Sequence, residues 1–275
     1  MKKKLLKLAT LLTAVTLIMG CVAGCGSNNN TSGTITLAGS TSMQKVAEGL
    51  KEGFMAANPG VTVDVQYNGS SAGVEQLLAG TIQIGNASRN LKDAEKTEGA
   101  VENIIAIDGI AVIVDKNNSV TELTTEELVK IYTGEIKNWS KLGGADAAIV
   151  VVGREAGSGT RGAFEELLEI EDKCAYAQEL DSTGTVLATV ATTEGAIGYV
   201  SLDVIDDTVS TVKLDGVEPT EANIVAGEYG LSRPFVMATK GEIGEQSELV
   251  QEFFAYIESE EGQAIIKQVG LILPD

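Results

Sequence analysis

Three times along this 275-residue chain, a run rich in β-branched residues ends in a glycine and a cluster of hydroxyl side chains, and an apolar-periodic segment follows. Gly39-Ser40-Thr41-Ser42 follows residues 34–38. Gly69-Ser70-Ser71-Ala72-Gly73 follows residues 61–67, and Gly157-Ser158-Gly159-Thr160 follows Ala148-Ile149-Val150-Val151-Val152. A strand that feeds a glycine-rich turn and opens a helix is the working unit of α/β folds, which hold ligands at the C-terminal ends of their strands. The first amides of a helix have no intrahelical partner, and the macrodipole adds partial positive charge there. In the third turn the arginines Arg154 and Arg161 flank the glycines, adding full charge and a bidentate fork. Any one of these hydroxyls could be an ordinary N-cap. Three together, with Arg154 beside them, point to a clamp for a tetrahedral anion.

Other motifs compete for the same residues. Gly157-Ser158-Gly159-Thr160-Arg161-Gly162 satisfies G-x-G-x-x-G, but the strand ends several residues before its first glycine, and that pattern alone is weak. No G-K-[ST] of a P-loop occurs. Gly69-Ser70-Ser71-Ala72-Gly73 matches the G-x-S-x-G nucleophile elbow. The chain contains no histidine, however, so a Ser-His-Asp triad cannot form, and most transition-metal sites lose their usual ligand. Enzymatic readings weaken accordingly, and nothing in the pattern calls for a cofactor or a metal.

Strand and helix signals alternate through most of the sequence. Residues 34–38 and 61–67 read as strands, 43–54 as an amphipathic helix, Val74 as the start of a helix, and Ile82-Gln83-Ile84-Gly85 as a short strand. This rhythm predicts a parallel, doubly wound sheet. The apolar run 104–114 has room for two consecutive strands around Asp108-Gly109 and reads as a first crossover between lobes. A second α/β unit spans about 115–230. It holds a Thr-capped helix near Thr124 and Trp139, the only tryptophan, which reads as a packed anchor. Ser232-Arg233-Pro234 opens a return strand, and two helices, near 247–259 and 261–269, follow it.

Met1-Lys2-Lys3-Lys4-Leu5-Leu6-Lys7 and the apolar residues 8–20 read as an export signal. Val22-Ala23-Gly24-Cys25 then resembles a bacterial lipobox with Cys25 as the lipidated residue. Cys21 is a poorer match, because a methionine stands where a small residue is usual. A polar, flexible tether follows. Removal of Lys2, Lys3, Lys4 and Lys7 leaves 16 basic residues against 39 acidic, a net charge of −23, which argues against nucleic acid as a partner. Beyond the lipobox region only Cys174 remains, so no disulfide framework is expected.

In their order and spacing, the three hydroxyl-rich turns resemble the phosphate-binding proteins of bacterial phosphate ABC transporters. So do residues 154–160, Gly195-Ala196-Ile197-Gly198-Tyr199, the stretch 123–139 and Ser232-Arg233-Pro234. The resemblance implies a type II periplasmic-binding-protein-like α/β fold of two doubly wound lobes joined by a two-segment hinge. Its divisions would be a lipoprotein signal at 1–24, a tether at 25–33, lobe I at 34–110 plus 232–275, and lobe II at 111–231. It implies that Thr41, Ser42, Ser70 and Ser88 bind phosphate from the first lobe, and Arg154, Ser158, Gly159 and Thr160 from the second. Ser88 stands where the best-known branch has an Asp that accepts the proton of bound phosphate, and Ala156 stands where that branch has another Asp. Glu155 is left as the acid beside Arg154. The implied partners are inorganic phosphate and permease subunits with a cytoplasmic ATPase. The chain would act as a monomer, lipid-anchored at the outer face of the cytoplasmic membrane. Another tetrahedral oxyanion, such as sulfate, molybdate or tungstate, is the alternative ligand.

Overall fold

The computed structural model describes residues 32–274; the export signal, Cys25 and tether residues 25–31 lie outside the described residues. β1 (Gly33–Gly39) passes through a 3-10 turn, Thr41–Met43, into α1 (Gln44–Ala57), and β2 (Val61–Tyr67) leads into α2 (Ser70–Leu78). α1 buries Val46, Ala47, Leu50 and Phe54, the stripe expected of an amphipathic helix. α2 starts at Ser70, a turn earlier than its first apolar residue Val74 suggests. Gly69, at a φ of 93°, turns the chain immediately before it. β3 (Ile84–Ala87) lies two residues later than expected, and α3 (Asp93–Thr97) and β4 (Ala100–Val101) follow.

The next element corrects an expectation. Residues 104–115 form one continuous strand, β5 (Ile104–Asp115), with no turn at Asp108-Gly109. Asp108 instead lies opposite Arg233 in the ladder with the return strand and pairs with it. Gly109 is small for a packing reason, since a Cβ there would come within 2.5 Å of Ile224 Cδ1.

β6 (Glu122–Leu123) precedes α4 (Thr125–Tyr132), which Thr124 and Glu127 close with a reciprocal capping box. β7 (Val150–Arg154) feeds α5 (Gly159–Leu167), and β8 (Gln178–Leu180) feeds α6 (Thr183–Thr192). β9 (Ala196–Ser201), β10 (Val209–Thr211), β11 (Lys213–Leu214) and α7 (Glu221–Val225) lead to the return strand β12 (Ser232–Lys240). α8 (Glu248–Glu258) and α9 (Glu260–Gln268) follow it.

The principal sheet runs β2-β1-β3-β12-β5-β9-β7-β8. It is mixed rather than wholly parallel. β1 is parallel to β2 and β3, and β7 is parallel to β8 and β9, whereas β12 and β5 run antiparallel to their neighbours. The two long strands carry the chain out of one α/β half and back, and one of two such crossings must oppose the other. Each half has its own core. In one, Leu37, Phe54, Phe235 and Phe253 pack together. In the other, Tyr132, Trp139, Phe164 and Tyr199 do so, with the Phe164 and Tyr199 rings stacked at 4.1 Å. Trp139 is the anchor its sequence context suggests, buried and donating its indole N–H to Gly195 O at 2.9 Å. No helix among the described residues is long and apolar enough to cross a membrane.

Candidate anion-binding site

The three glycine-rich turns meet at one place. Gly39, at a φ of 143°, lies so close to the β3 backbone that a Cβ would fall 2.0 Å from Asn86 O. The turn it allows puts Ser40 at a cap position, where its hydroxyl accepts from Ser42 N–H at 3.2 Å and donates to Ser88 Oγ at 2.8 Å. In the second turn Ser70 is the first residue of α2, and its Oγ accepts from Ser88 N–H at 3.2 Å. Gly73 lets α2 sit on β1, for a Cβ there would be 2.3 Å from Ala38 O. The elbow-like G-x-S-x-G is therefore a packing motif whose first serine reaches Ser88.

The third turn comes from the other half of the molecule. Ser158 caps α5 by accepting from Arg161 N–H. A Cβ on Gly159 would lie 2.3 Å from Ser70 Oγ and 2.7 Å from Ser88 Oγ, so this turn presses directly on the first half. Ser71 N–H donates to Gly157 O at 3.1 Å, and Ser42 Oγ meets Thr160 Oγ1 at 2.6 Å. Thr41, Ser42, Ser70, Ser88, Arg154, Ser158, Gly159 and Thr160 are thus drawn together by the fold, and every one of them is buried.

Arg154 ends β7 with its guanidinium almost fully enclosed. Its Nε and Nη2 form a side-on pair with Glu155 at 3.0 and 2.8 Å and also donate to the carbonyls of Leu180 and Asp181. Nη1 donates to Thr183 Oγ1 at 3.2 Å. Behind it, the Tyr199 hydroxyl accepts from Arg154 N–H, and burial raises the Tyr199 phenol pKa so that it stays protonated. Arg161 turns away from the cluster to pair with Glu165 and Glu179, both at 2.8 Å, and donates to Arg154 O at 2.9 Å. Arg89, next to Ser88, is engaged by Glu95.

Two groups at the site are absent from the sequence expectation. Thr183, at the start of α6, touches Thr41, Ser42 and Arg154. Its signal was present in Ser182-Thr183-Gly184-Thr185, which lacks a glycine before the hydroxyls. Arg233 is the second. Its Nη1 donates to Ser88 O at 3.1 Å, while Nε and Nη2 hold Asp108 Oδ2 at 3.0 and 2.8 Å. Burial pushes the Asp108 carboxyl pKa up and the Arg233 guanidinium pKa down, and their mutual attraction opposes both shifts. A groove of about 480 Å³ beside Asp115, Trp139 and Glu194 shares no residue with this cluster.

A site of neutral hydroxyls, helix N-termini and one guanidinium between two α/β halves defines a substrate-binding protein of the periplasmic type. Consistent with that class, the PBP superfamily domain model matches residues 27–261. The chain is 35% identical over 287 residues to the phosphate-binding protein PstS of Bacillus subtilis, spanning 99% of this chain and 95% of that one. Among solved structures it resembles that of a phosphate ABC transporter substrate-binding protein from Clostridium perfringens with bound phosphate. The TM-score is 0.85 and the identity 42%, over 88% of this chain and all of that one. An ABC-type phosphate transport receptor from Vibrio cholerae follows at a TM-score of 0.74 and 35% identity, over 87% of this chain and 100% of that one. The chain belongs to the PstS family of phosphate-binding proteins.

Proposed function

We propose that this protein captures inorganic phosphate outside the cytoplasm and delivers it to the permease of an ABC transporter powered by a cytoplasmic ATPase. It is a binding protein of a transport family, not an enzyme. The observation that carries the reading is the contact between halves: Ser42 Oγ to Thr160 Oγ1 at 2.6 Å, with Gly159 against Ser70 and Ser88. Thr41, Ser42, Ser70 and Ser88 bind the anion from one side, and Arg154, Ser158, Gly159 and Thr160 from the other. A buried anion needs many donors, because an unpaired buried ion costs several kcal/mol. The net charge of −23 left once the signal lysines are removed, 16 basic against 39 acidic residues, makes the distant field unfavourable, so these local donors must supply the attraction.

The lobes divide at 34–110 plus 232–275 and at 111–231, with β5 and β12 as the two hinge segments. The lipobox-like Val22-Ala23-Gly24-Cys25 supports lipidation at Cys25, which would anchor a monomer at the outer face of the cytoplasmic membrane. Near neutral pH phosphate keeps at least one proton and sulfate none, so an acceptor facing the anion favours phosphate. Calorimetric titration with phosphate, sulfate, molybdate and tungstate tests the assignment. Phosphate is expected to bind tightest; sulfate binding of equal strength would sink it.

A further inference from the structure

We propose that Thr183 is a further anion-binding residue, presented by the N-terminus of α6 alongside Arg154. The inference rests on the phosphate reading of the site and adds a contact from a fourth helix start. Local structure does not need this hydroxyl. Ser182 is the N-cap of α6, accepting from Thr185 N–H, and Thr185 reciprocates. The contacts of Thr183 Oγ1 are all distant in sequence: Arg154 Nη1 at 3.2 Å, Ser42 Oγ at 2.9 Å and Thr41 Oγ1 at 3.1 Å. Its backbone N–H donates to Thr41 Oγ1, also at 3.1 Å. Thr183 is 3% exposed, yet three groups assigned to the anion surround its hydroxyl.

The geometry of Arg154 sharpens the argument. Its Nε and Nη2 are spent on Glu155, Leu180 O and Asp181 O, so Nη1 is the nitrogen left to face an anion, and Nη1 points at Thr183. Any oxyanion that meets Arg154 there lies within reach of Thr183 Oγ1. Arginine only donates, so Thr183 Oγ1 accepts from it, and its hydrogen and second lone pair meet only the hydroxyls of Ser42 and Thr41, which an entering anion can displace. The hydrogen can serve an anion oxygen, and the lone pair can take the proton of a hydrogen phosphate.

Thr183→Val removes the hydroxyl at nearly constant shape, and Thr183→Ser keeps it. By calorimetry with inorganic phosphate, the valine variant is expected to bind roughly tenfold more weakly and the serine variant within about twofold of the wild type. Because the hydroxyl also accepts from Arg154 Nη1, the valine variant is expected to melt somewhat below the wild type without phosphate while keeping its far-ultraviolet circular dichroism spectrum. Wild-type affinity in the valine variant overturns the proposal, as does equal impairment of both variants, which would make the position structural. A crystal structure of the wild type with phosphate should place an anion oxygen about 3 Å from Thr183 Oγ1; a separation beyond hydrogen-bond reach also overturns it. A wild type that takes up no phosphate defeats the proposed function itself, an outcome distinct from either.

Discussion

An arginine offers five donors in one plane, and their destinations decide what it can do. Arg154 keeps Nη1 on the hydroxyl cluster, whereas Arg161 spends its fork on Glu165, Glu179 and Arg154 O, and Arg89 spends its own on Glu95 and Asn90 O. Arg154→Ala should therefore remove a charge-assisted bond to phosphate worth about 1.5–3 kcal/mol. Arg161→Ala should instead leave the buried Glu165 without its cationic partner, with only Tyr176 still donating to it, lowering the thermal midpoint while phosphate affinity changes much less. Titration and thermal melts of both variants check this; equal losses of affinity would refute the ranking. In sequence the two arginines flank the same turn and the family resemblance singles out Arg154, but only packing shows where Arg161 uses its fork. The hydroxyl residues are easier to read, since glycine at a strand end permits the positive-φ turn that sets the following Ser or Thr at a helix start, as at Gly39 and Gly69. Thr183 has its glycine on the other side and so lacks that pattern. Glu155 settles into holding Arg154, with both of its oxygens accepting from that guanidinium.

The strands that join the halves are the least ordinary elements. The alternation of strand and helix within each half was readable from periodicity, but the continuity of β5 was not. Asp108-Gly109 has the composition of a turn, and the ladders of β5 with β12 and β9, reinforced by the Asp108 pair with Arg233 125 residues away, keep it extended. That pairing brings a second carboxylate with it. Asp203, just after β9, accepts from Ser201 Oγ at 2.5 Å, and burial together with the nearby Asp108 charge pushes its pKa up to about 6. Arg233 and Lys45 oppose the shift without cancelling it. A carboxyl whose folded pKa exceeds its unfolded value holds its proton more tightly in the native state, so it costs stability as pH rises from about 4 through 6. Asp203→Asn should consequently stabilise the protein at pH 7 by on the order of 2–3 kcal/mol and by almost nothing near pH 4. Denaturant titrations at the two pH values measure the difference. A stabilisation independent of pH would show that the carboxyl does not titrate in this way.

Taken as a whole, the molecule divides its proposed binding groups between two halves that share one sheet. The same division governs how it should be retained and how it should move. If Cys25 carries the lipid, Cys25→Ala should release the protein from membranes or leave its signal uncleaved, whereas Cys21→Ala should do neither. Fractionation of expressing cells distinguishes them, and the reverse result would reassign the anchor to Cys21. Closure follows from where the donors sit. Thr41, Ser42, Ser70 and Ser88 belong to one half and Arg154, Ser158, Gly159 and Thr160 to the other, so on the proposed assignment the anion needs both halves together. Phosphate should bind the closed arrangement better than an open one, and a ligand shifts such an equilibrium only by that difference in affinity. The two crossing strands allow rotation as rigid bodies, since each half keeps its own aromatic core. Small-angle scattering should then show a smaller radius of gyration at saturating phosphate, with an unchanged far-ultraviolet circular dichroism spectrum. Arg154→Ala at the same phosphate concentration should stay closer to the unliganded profile. An identical profile for the wild type with and without phosphate would rule out closure on the anion, even if calorimetry had shown that phosphate binds.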